Sequence, residues 1–167
     1  MGLIKTSSSL NDFFHEEVLK SMIKLNLNCE QESLLYVGEM LANFDDKNYQ
    51  KPLVVIVANA LNMTDMDKAA NELKDVGDTC LFISGFSDGV LNKHMKDKDY
   101  SISLGIAAYN YAASCYIFQN KEKMYDSLVN VVNDFKGLSR IIEDVFLNSS
   151  FINYSKEELI QKLKGFF

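Results

Sequence analysis

Residues 77–113 read GDTCLFISGFSDGVLNKHMKDKDYSISLGIAAYNYAA, and this stretch sets the fold class. On both sides of its polar middle, apolar and small residues recur every three or four positions, which is the period of an α-helix. A glycine in a helix interior costs about 0.5–1 kcal/mol relative to alanine, so Gly77 and Gly105 are expected where a neighbouring helix or a ligand approaches the backbone. A neighbouring helix is the favoured explanation, and the stretch predicts two long helices packed closely together.

Helical periodicity also governs the rest of the chain, which has one proline and little strand-like alternation. The β-branched run at 53–61 lacks an evident partner strand, so we interpret it as a buried helix with Pro52 in its first turn. The first helix is predicted to begin near Ser9 or Asn11 and to reach Leu25, and the second follows an Asn28–Gln31 capping box and ends near Phe44. A long helix is predicted from Met66 to about Phe86, behind a Thr64–Asp67 cap and unbroken at Gly77. The later segments are a short turn at 90–94, a helix from Asp99 to Gln119, helices over 121–134 and 138–147 with a break at Lys136 and Gly137, and a helix from Ser155, capped with Glu158, to the C-terminus.

The apolar positions of these helices predict which faces turn inward. The expected stripes are Phe14, Val18, Met22 and Leu25 in the first helix, Leu34, Val37, Leu41 and Phe44 in the second, and Leu104, Ala108, Tyr111, Cys115 and Phe118 in the helix that begins near Asp99. Together the segments predict a flexible N-terminus at 1–8 and a single all-α domain at 9–167, a bundle of about six to eight helices.

The composition is that of a folded globular protein and argues against several functions. Of the 167 residues, 47% are hydrophobic and 24% charged. The chain has sixteen lysines, a single arginine (Arg140) and a net charge of −6, so nucleic acid is not an expected partner. No apolar run reaches the roughly 20 residues that span a bilayer, and the N-terminus lacks the apolar segment of a secretory signal, so we expect a cytoplasmic protein.

Two further features concern chemical modification. The three cysteines, Cys29, Cys80 and Cys115, lie far apart in the sequence, and we expect reduced, mostly buried thiols. The N-terminus fits the myristoylation pattern at Gly2, but a lone acyl chain with one neighbouring lysine gives only marginal membrane affinity.

No residue pattern assembles a catalytic or metal site. His15 and His94 lack a second histidine or a glutamate at metal-binding spacing, so no metal is expected. The glycine-containing segment at 84–93 matches neither a nucleophile elbow nor a phosphate loop, and we interpret it as a helix end followed by a turn. No catalytic residue and no cofactor is therefore assigned.

Asp78 is the polar residue most in need of a partner, because it lies at the edge of an otherwise apolar stripe. A partly buried carboxylate must find hydrogen-bond donors or a positive charge, or its pKa rises. The candidates are Arg140, the hydroxyl of Tyr100 or Tyr109, and a backbone amide. A structural pair is the favoured interpretation, and a catalytic acid is the alternative.

Three blocks of sequence, ESLLYVGEMLANF (32–44), GDTCLFISGF (77–86) and YSISLGIAAY (100–109), resemble the motifs of an uncharacterised proteobacterial family, a domain of unknown function. The chain departs from those motifs at Gly38 and Glu39, in having a single Phe86, and at Ser101. The resemblance implies a bacterial protein and a shared structural or binding centre, but no activity. The residues at its motif positions are Asp78, Ser84, Gly85, Tyr100, Gly105 and Tyr109.

These observations leave three functional hypotheses. The first is a non-enzymatic interaction module that binds a protein partner or a second copy of itself, as a homodimer, because apolar helical surface is abundant. The second is a small-molecule-binding bundle with a pocket near Asp78, Tyr100, Tyr109 and His94. The third is an unrecognised enzyme that uses Asp78 as an acid.

Overall fold

Packed helices build the whole described part of the chain. The computed structural model describes residues 7–44, 51–85 and 98–148, and within these ranges the backbone forms six α-helices and no strand. They are α1 (Ser7–Lys24), α2 (Gln31–Asn43), α3 (Leu53–Leu61), α4 (Met66–Ser84), α5 (Lys98–Phe118) and α6 (Glu122–Asn148). The predicted all-α, single-domain bundle is confirmed. The predicted turn at 90–94 and the predicted helix from Ser155 lie outside the described residues.

Helices α4 and α5 form the centre of the bundle, and α6 turns back along α5 after a three-residue connection. Helices α1 and α2 pack on each other and on α6, and α3 packs mainly on α4. Asn26 and Asn120, with φ of 53° and 60°, end the turns that follow α1 and α5. Such left-handed residues let the next amide bond back to the helix, as Leu27 N–H does to the Met22 carbonyl at 3.0 Å and Lys121 N–H to the Tyr116 carbonyl at 2.8 Å.

Helix α4 continues through Gly77, as predicted. A Cβ atom at Gly77 would lie 2.5 Å from the ring of Tyr109 on α5, and one at Gly105 would lie 2.6 Å from the ring of Phe135 on α6. The two glycines therefore make room for aromatic rings from neighbouring helices, which confirms that a neighbouring helix explains them.

The two predicted N-terminal caps that fall on described residues, those of α2 and α4, are wrong. Helix α2 begins after Glu30 without a side-chain cap from its own segment. Asp134 of α6 serves its first turn instead, accepting hydrogen bonds from Glu30 N–H at 2.9 Å and from the Ser33 hydroxyl at 2.7 Å. Helix α4 is capped by Asp65, which accepts from Lys68 N–H at 3.2 Å. The cap of α4 is thus a carboxylate one residue after the predicted Thr64, and the cap of α2 is a carboxylate from another helix.

The predicted break at Lys136 and Gly137 is also wrong, because α6 runs unbroken from Glu122 to Asn148. Its buried residues keep the helical period on both sides of the glycine: Leu128, Val131, Phe135, Leu138, Ser139, Ile141, Ile142 and Val145. Burial of this long stripe outweighs the roughly 1 kcal/mol that one glycine costs a helix.

The buried face of α5 differs from the predicted one. The stripes of α1 and α2 face the core as predicted, although Met22, Leu25 and Phe44 are only half-buried there. The buried residues of α5 are Ser101, Gly105, Ala108, Tyr109, Ala112, Ala113 and Tyr116. Of the predicted stripe only Ala108 is fully buried, whereas Tyr111 is 43% and Phe118 75% exposed. Apolar residues surround α5 almost evenly, so close packing of its small residues on α4, and not the position of its largest side chains, sets its orientation.

Candidate functional site

Asp78 lies where α2, α4 and α5 meet. Its Oδ1 accepts hydrogen bonds from the hydroxyls of Tyr36 and Tyr109, the latter at 2.6 Å. Its Oδ2 pairs with Lys74 Nζ at 3.1 Å, and the Asp78 side chain is 16% exposed. We call these four residues, Tyr36, Lys74, Asp78 and Tyr109, the Asp78 cluster.

Local geometry explains how the Asp78 cluster forms. Lys74 and Asp78 stand four residues apart on α4, which places them on one face of the helix. Gly77 lets the ring of Tyr109 approach α4 closely enough for its hydroxyl to reach Asp78. The rings of Tyr36 and Tyr109 meet edge to face at 6.1 Å, and Lys74 Nζ lies 5.3 Å from the centre of the Tyr36 ring.

Both tyrosines of the cluster hold their protons strongly. Burial, followed by the negative charge of Asp78 and the hydrogen bond to it, raises the pKa of Tyr36 and of Tyr109 well above the ordinary value of 10.0. The two hydroxyls therefore act as hydrogen-bond donors, and the oxygens of Asp78 are occupied by donors from this chain.

The structure brings together only two of the six predicted centre residues, Asp78 and Tyr109. Ser84 is buried, and its hydroxyl donates to the Leu81 carbonyl at 2.7 Å. Gly85 ends α4 against the side chain of Ile142, and Gly105 faces Phe135. These three residues serve helix packing.

The other predicted partners do not join the Asp78 cluster. Tyr100 is half-buried in the first turn of α5, nine residues and roughly 13 Å along the helix from Tyr109. Arg140 is exposed on α6. His94 lies outside the described residues.

Sequence reasoning missed two members of the Asp78 cluster, Tyr36 and Lys74. Lys74 carries a local signal, since it stands four residues before Asp78. Tyr36 belongs to a different helix, α2, and nothing in the local sequence links it to Asp78.

Tyr36 also lines a cleft of about 390 Å³ between α2 and α6, which we call the α2–α6 cleft. Its other lining residues are Glu32, Leu35, Glu39, Lys123, Asp126 and Ser127.

A second concavity lies between α3, α4 and α5. It has a volume of about 330 Å³, and we call it the apolar groove. Its lining residues are Ala60, Leu61, Met63, Met66, Ala69, Leu73, Tyr111, Ser114, Cys115 and Phe118. Leu61 is 49% and Phe118 75% exposed, so large apolar side chains remain in contact with solvent around it.

The three cysteine thiols are poorly reactive. All three cysteines are free. Burial, aided by the charge of Asp134, raises the pKa of the Cys29 thiol to about 11, and burial also raises the pKa of Cys80 and Cys115.

Among the described residues, no three His, Cys, Asp or Glu side chains are grouped so that they could hold a metal ion. Within the same ranges, no helix has both the length and the hydropathy to cross a membrane.

Comparisons with known protein families, with curated proteins and with solved structures find no match to this chain. The resemblance to the proteobacterial family stays a prediction.

Proposed function

We propose that this protein is a non-enzymatic interaction module that forms a homodimer through the apolar groove. One observation carries the proposal: Phe118 is 75% exposed at the edge of an apolar concavity of about 330 Å³. A large aromatic side chain left in water beside an apolar recess is typical of a surface that another molecule covers.

A second copy is the partner we favour, because this one face offers both an exposed aromatic side chain and an apolar recess. A two-fold axis beside the groove would place each Phe118 ring in the groove of the other copy, and both contacts would form at once. The nearby charges do not oppose this arrangement. Asp67 at the start of α4 accepts hydrogen bonds from Lys121 at 3.0 Å and from Gln119 at 2.6 Å, so its charge is paired within the chain.

The small number of exposed apolar side chains predicts a weak dimer. A standard interface buries about 800 Å² on each partner. The groove exposes Leu61, Tyr111 and Phe118, and the first two only by 49% and 43%. With so few exposed apolar side chains we expect a Kd on the order of micromolar or weaker, so the dimer forms only at high protein concentration.

Sedimentation velocity over about a hundredfold range of concentration tests this proposal. The average mass of the unmodified protein is expected to rise from monomer towards dimer, and Phe118→Glu is expected to stay monomeric. Leu147→Glu is the matched control, because Leu147 is 74% exposed near the far end of α6. It should associate like the unmodified protein.

Two outcomes would overturn the homodimer. One is a strict monomer at the highest concentration. The other is an equal effect of Phe118→Glu and Leu147→Glu, which would show that added charge, and not the groove, controls association. Circular dichroism of each variant establishes that the helices have formed.

A small-molecule site in the α2–α6 cleft is the second candidate, because Tyr36 both lines the cleft and donates to Asp78. Three carboxylates and one lysine line the cleft, so its ligand would carry positive charge. Thermal shift assays with cationic amines test it. A rise in Tm that Glu39→Gln reduces would support the site, and no rise, or an equal rise in Glu39→Gln, would exclude it.

A further inference from the structure

Helix α3 is apolar on the side that faces solvent as well as on the side that faces the bundle. It packs mainly on α4, and its buried residues are Leu53, Val57 and Ala60. Val54 and Leu61 nevertheless remain 48% and 49% exposed. A helix that is apolar all round is normally buried on all sides, so we expect another molecule to cover the outer side of α3.

The outer residues of α3 form one face that reaches the apolar groove. Val54, Ala58 and Leu61 are all exposed, and their spacing of four and three residues places them along one side of the helix. We call these three residues the α3 face. Leu61 also lines the apolar groove, so the α3 face and the groove meet at this side chain.

The α3 face lies in an uncharged part of the chain. Residues 53–64, LVVIVANALNMT, include no acidic and no basic side chain. Each copy of the protein has a net charge of −6, so two copies repel each other least where charged side chains are absent. Helices that lie on a membrane surface instead carry lysine and arginine beside their apolar face. The composition of α3 therefore favours a second copy over a lipid surface.

The last turn of α3 can be covered without leaving its carbonyls unpaired. The Asn62 side-chain amide donates to the Ala58 carbonyl at 3.1 Å, and Met63 N–H donates to the Ala60 carbonyl at 3.1 Å. These acceptors lie where a helix runs out of partners of its own. The small side chain of Ala58, in the middle of the α3 face, also lets a second helix approach closely.

We propose that two copies of α3 pack antiparallel against each other across the two-fold axis of the groove dimer, an inference that rests on the proposed homodimer. With the axis near Ala58, Val54 of one copy contacts Leu61 of the other, and the reverse contact forms at the same time. Valine has one strongly preferred rotamer in a helix, so ordering Val54 at the interface costs little entropy. The contact adds the exposed side of α3 to the interface that the groove begins.

Two variants with complementary charges test the α3 contact by sedimentation velocity. Val54→Glu and Leu61→Lys are each expected to weaken self-association at least about tenfold. An equimolar mixture of the two is expected to form a heterodimer, because the new carboxylate then faces the new ammonium. Leu19→Glu is the control, since Leu19 is 47% exposed on α1, and it should associate like the unmodified protein.

Failure of this contact can be told apart from failure of the groove dimer. If Phe118→Glu is monomeric but Val54→Glu associates like the unmodified protein, the α3 contact is overturned and the groove dimer stands. A mixture that stays monomeric overturns the pairing of Val54 with Leu61. A strict monomer of the unmodified protein overturns both proposals. Flotation of the unmodified protein with vesicles of phosphatidylcholine and phosphatidylglycerol, lost in Val54→Glu, would assign the α3 face to a membrane and overturn the contact.

Hydrogen exchange of the unmodified protein gives a measurement that does not depend on the folding of any variant. Backbone amides of α3 are expected to exchange more slowly at high than at low protein concentration, because the second copy covers them. Circular dichroism of each variant establishes that its helices have formed. Exchange in α3 that is independent of concentration, under conditions where the average mass shows a dimer, would contradict the α3 contact.

Discussion

Asp78 receives its donors from three different helices, and this single residue shows how a charge can organise the centre of an apolar bundle. Tyr36 belongs to α2, Lys74 to α4 and Tyr109 to α5. A carboxylate that is 16% exposed needs such donors, because losing water without replacement is costly. Satisfying Asp78 therefore requires the three helices to meet in one arrangement.

Asp78→Asn is expected to destabilise the protein by about 1–3 kcal/mol, because the amide cannot accept as well from two hydroxyls and an ammonium. Urea unfolding measures the change. Asp12→Asn is the control, since Asp12 is exposed on α1, and its effect should stay within about 0.5 kcal/mol. Equal effects of the two substitutions would mean that the Asp78 cluster contributes no stability.

The cluster tyrosines make stability depend on alkaline pH. Their pKa is raised on folding, so above about pH 10 the unfolded chain has released protons that the folded protein still holds. Their stabilising contribution is complete below pH 10 and is lost as the pH rises from there towards the folded pKa.

Unfolding measured from about pH 8 to about pH 11 should show this loss, and Tyr109→Phe should reduce its slope by up to about 1.4 kcal/mol per pH unit. The two proteins differ in this one side chain, so the difference between the two slopes reports the tyrosine. Identical slopes would contradict the raised pKa of Tyr109.

At the scale of helices, glycine has two different structural roles in this chain. At Gly77 a Cβ would lie 2.5 Å from the Tyr109 ring, whose hydroxyl is held by Asp78. At Gly137 the nearest atom would be the Cys29 sulfur at 3.1 Å, on a half-buried side chain. The first glycine is required by packing, whereas the second is tolerated within a strongly apolar helix.

Gly77→Ala should therefore destabilise the protein by about 1–3 kcal/mol through overpacking. Gly137→Ala should be neutral or stabilising by up to about 1 kcal/mol, because alanine favours a helix and Cys29 can move aside. Thermal unfolding of the two variants makes a matched comparison. A similar loss of stability in both would mean that α6 is as tightly packed at Gly137 as α4 is at Gly77.

At the scale of the whole molecule, the reactivity of Cys80 measures how often the core opens. This residue of α4 is buried in the core, and burial raises the pKa of its thiol. Labelling with iodoacetamide at mildly alkaline pH should modify it only when the bundle unfolds, at least about a thousandfold more slowly than in denaturant. Mass spectrometry of the labelled peptides measures the rate. Fast labelling of Cys80 in the native protein would show that α4 and α5 separate locally.

The amino-acid pattern was enough to predict the all-α bundle, the helix through Gly77 and the buried stripes of α1 and α2, because these follow from the spacing of apolar residues along one segment. It also identified Asp78 and Tyr109 as candidates to lie together. The cap of α2 by Asp134, the buried face of α5 and the position of Tyr36 beside Asp78 were decided by tertiary packing. Each of these depends on contacts between helices that are distant in the sequence, and local periodicity carries no information about which distant side chains will meet.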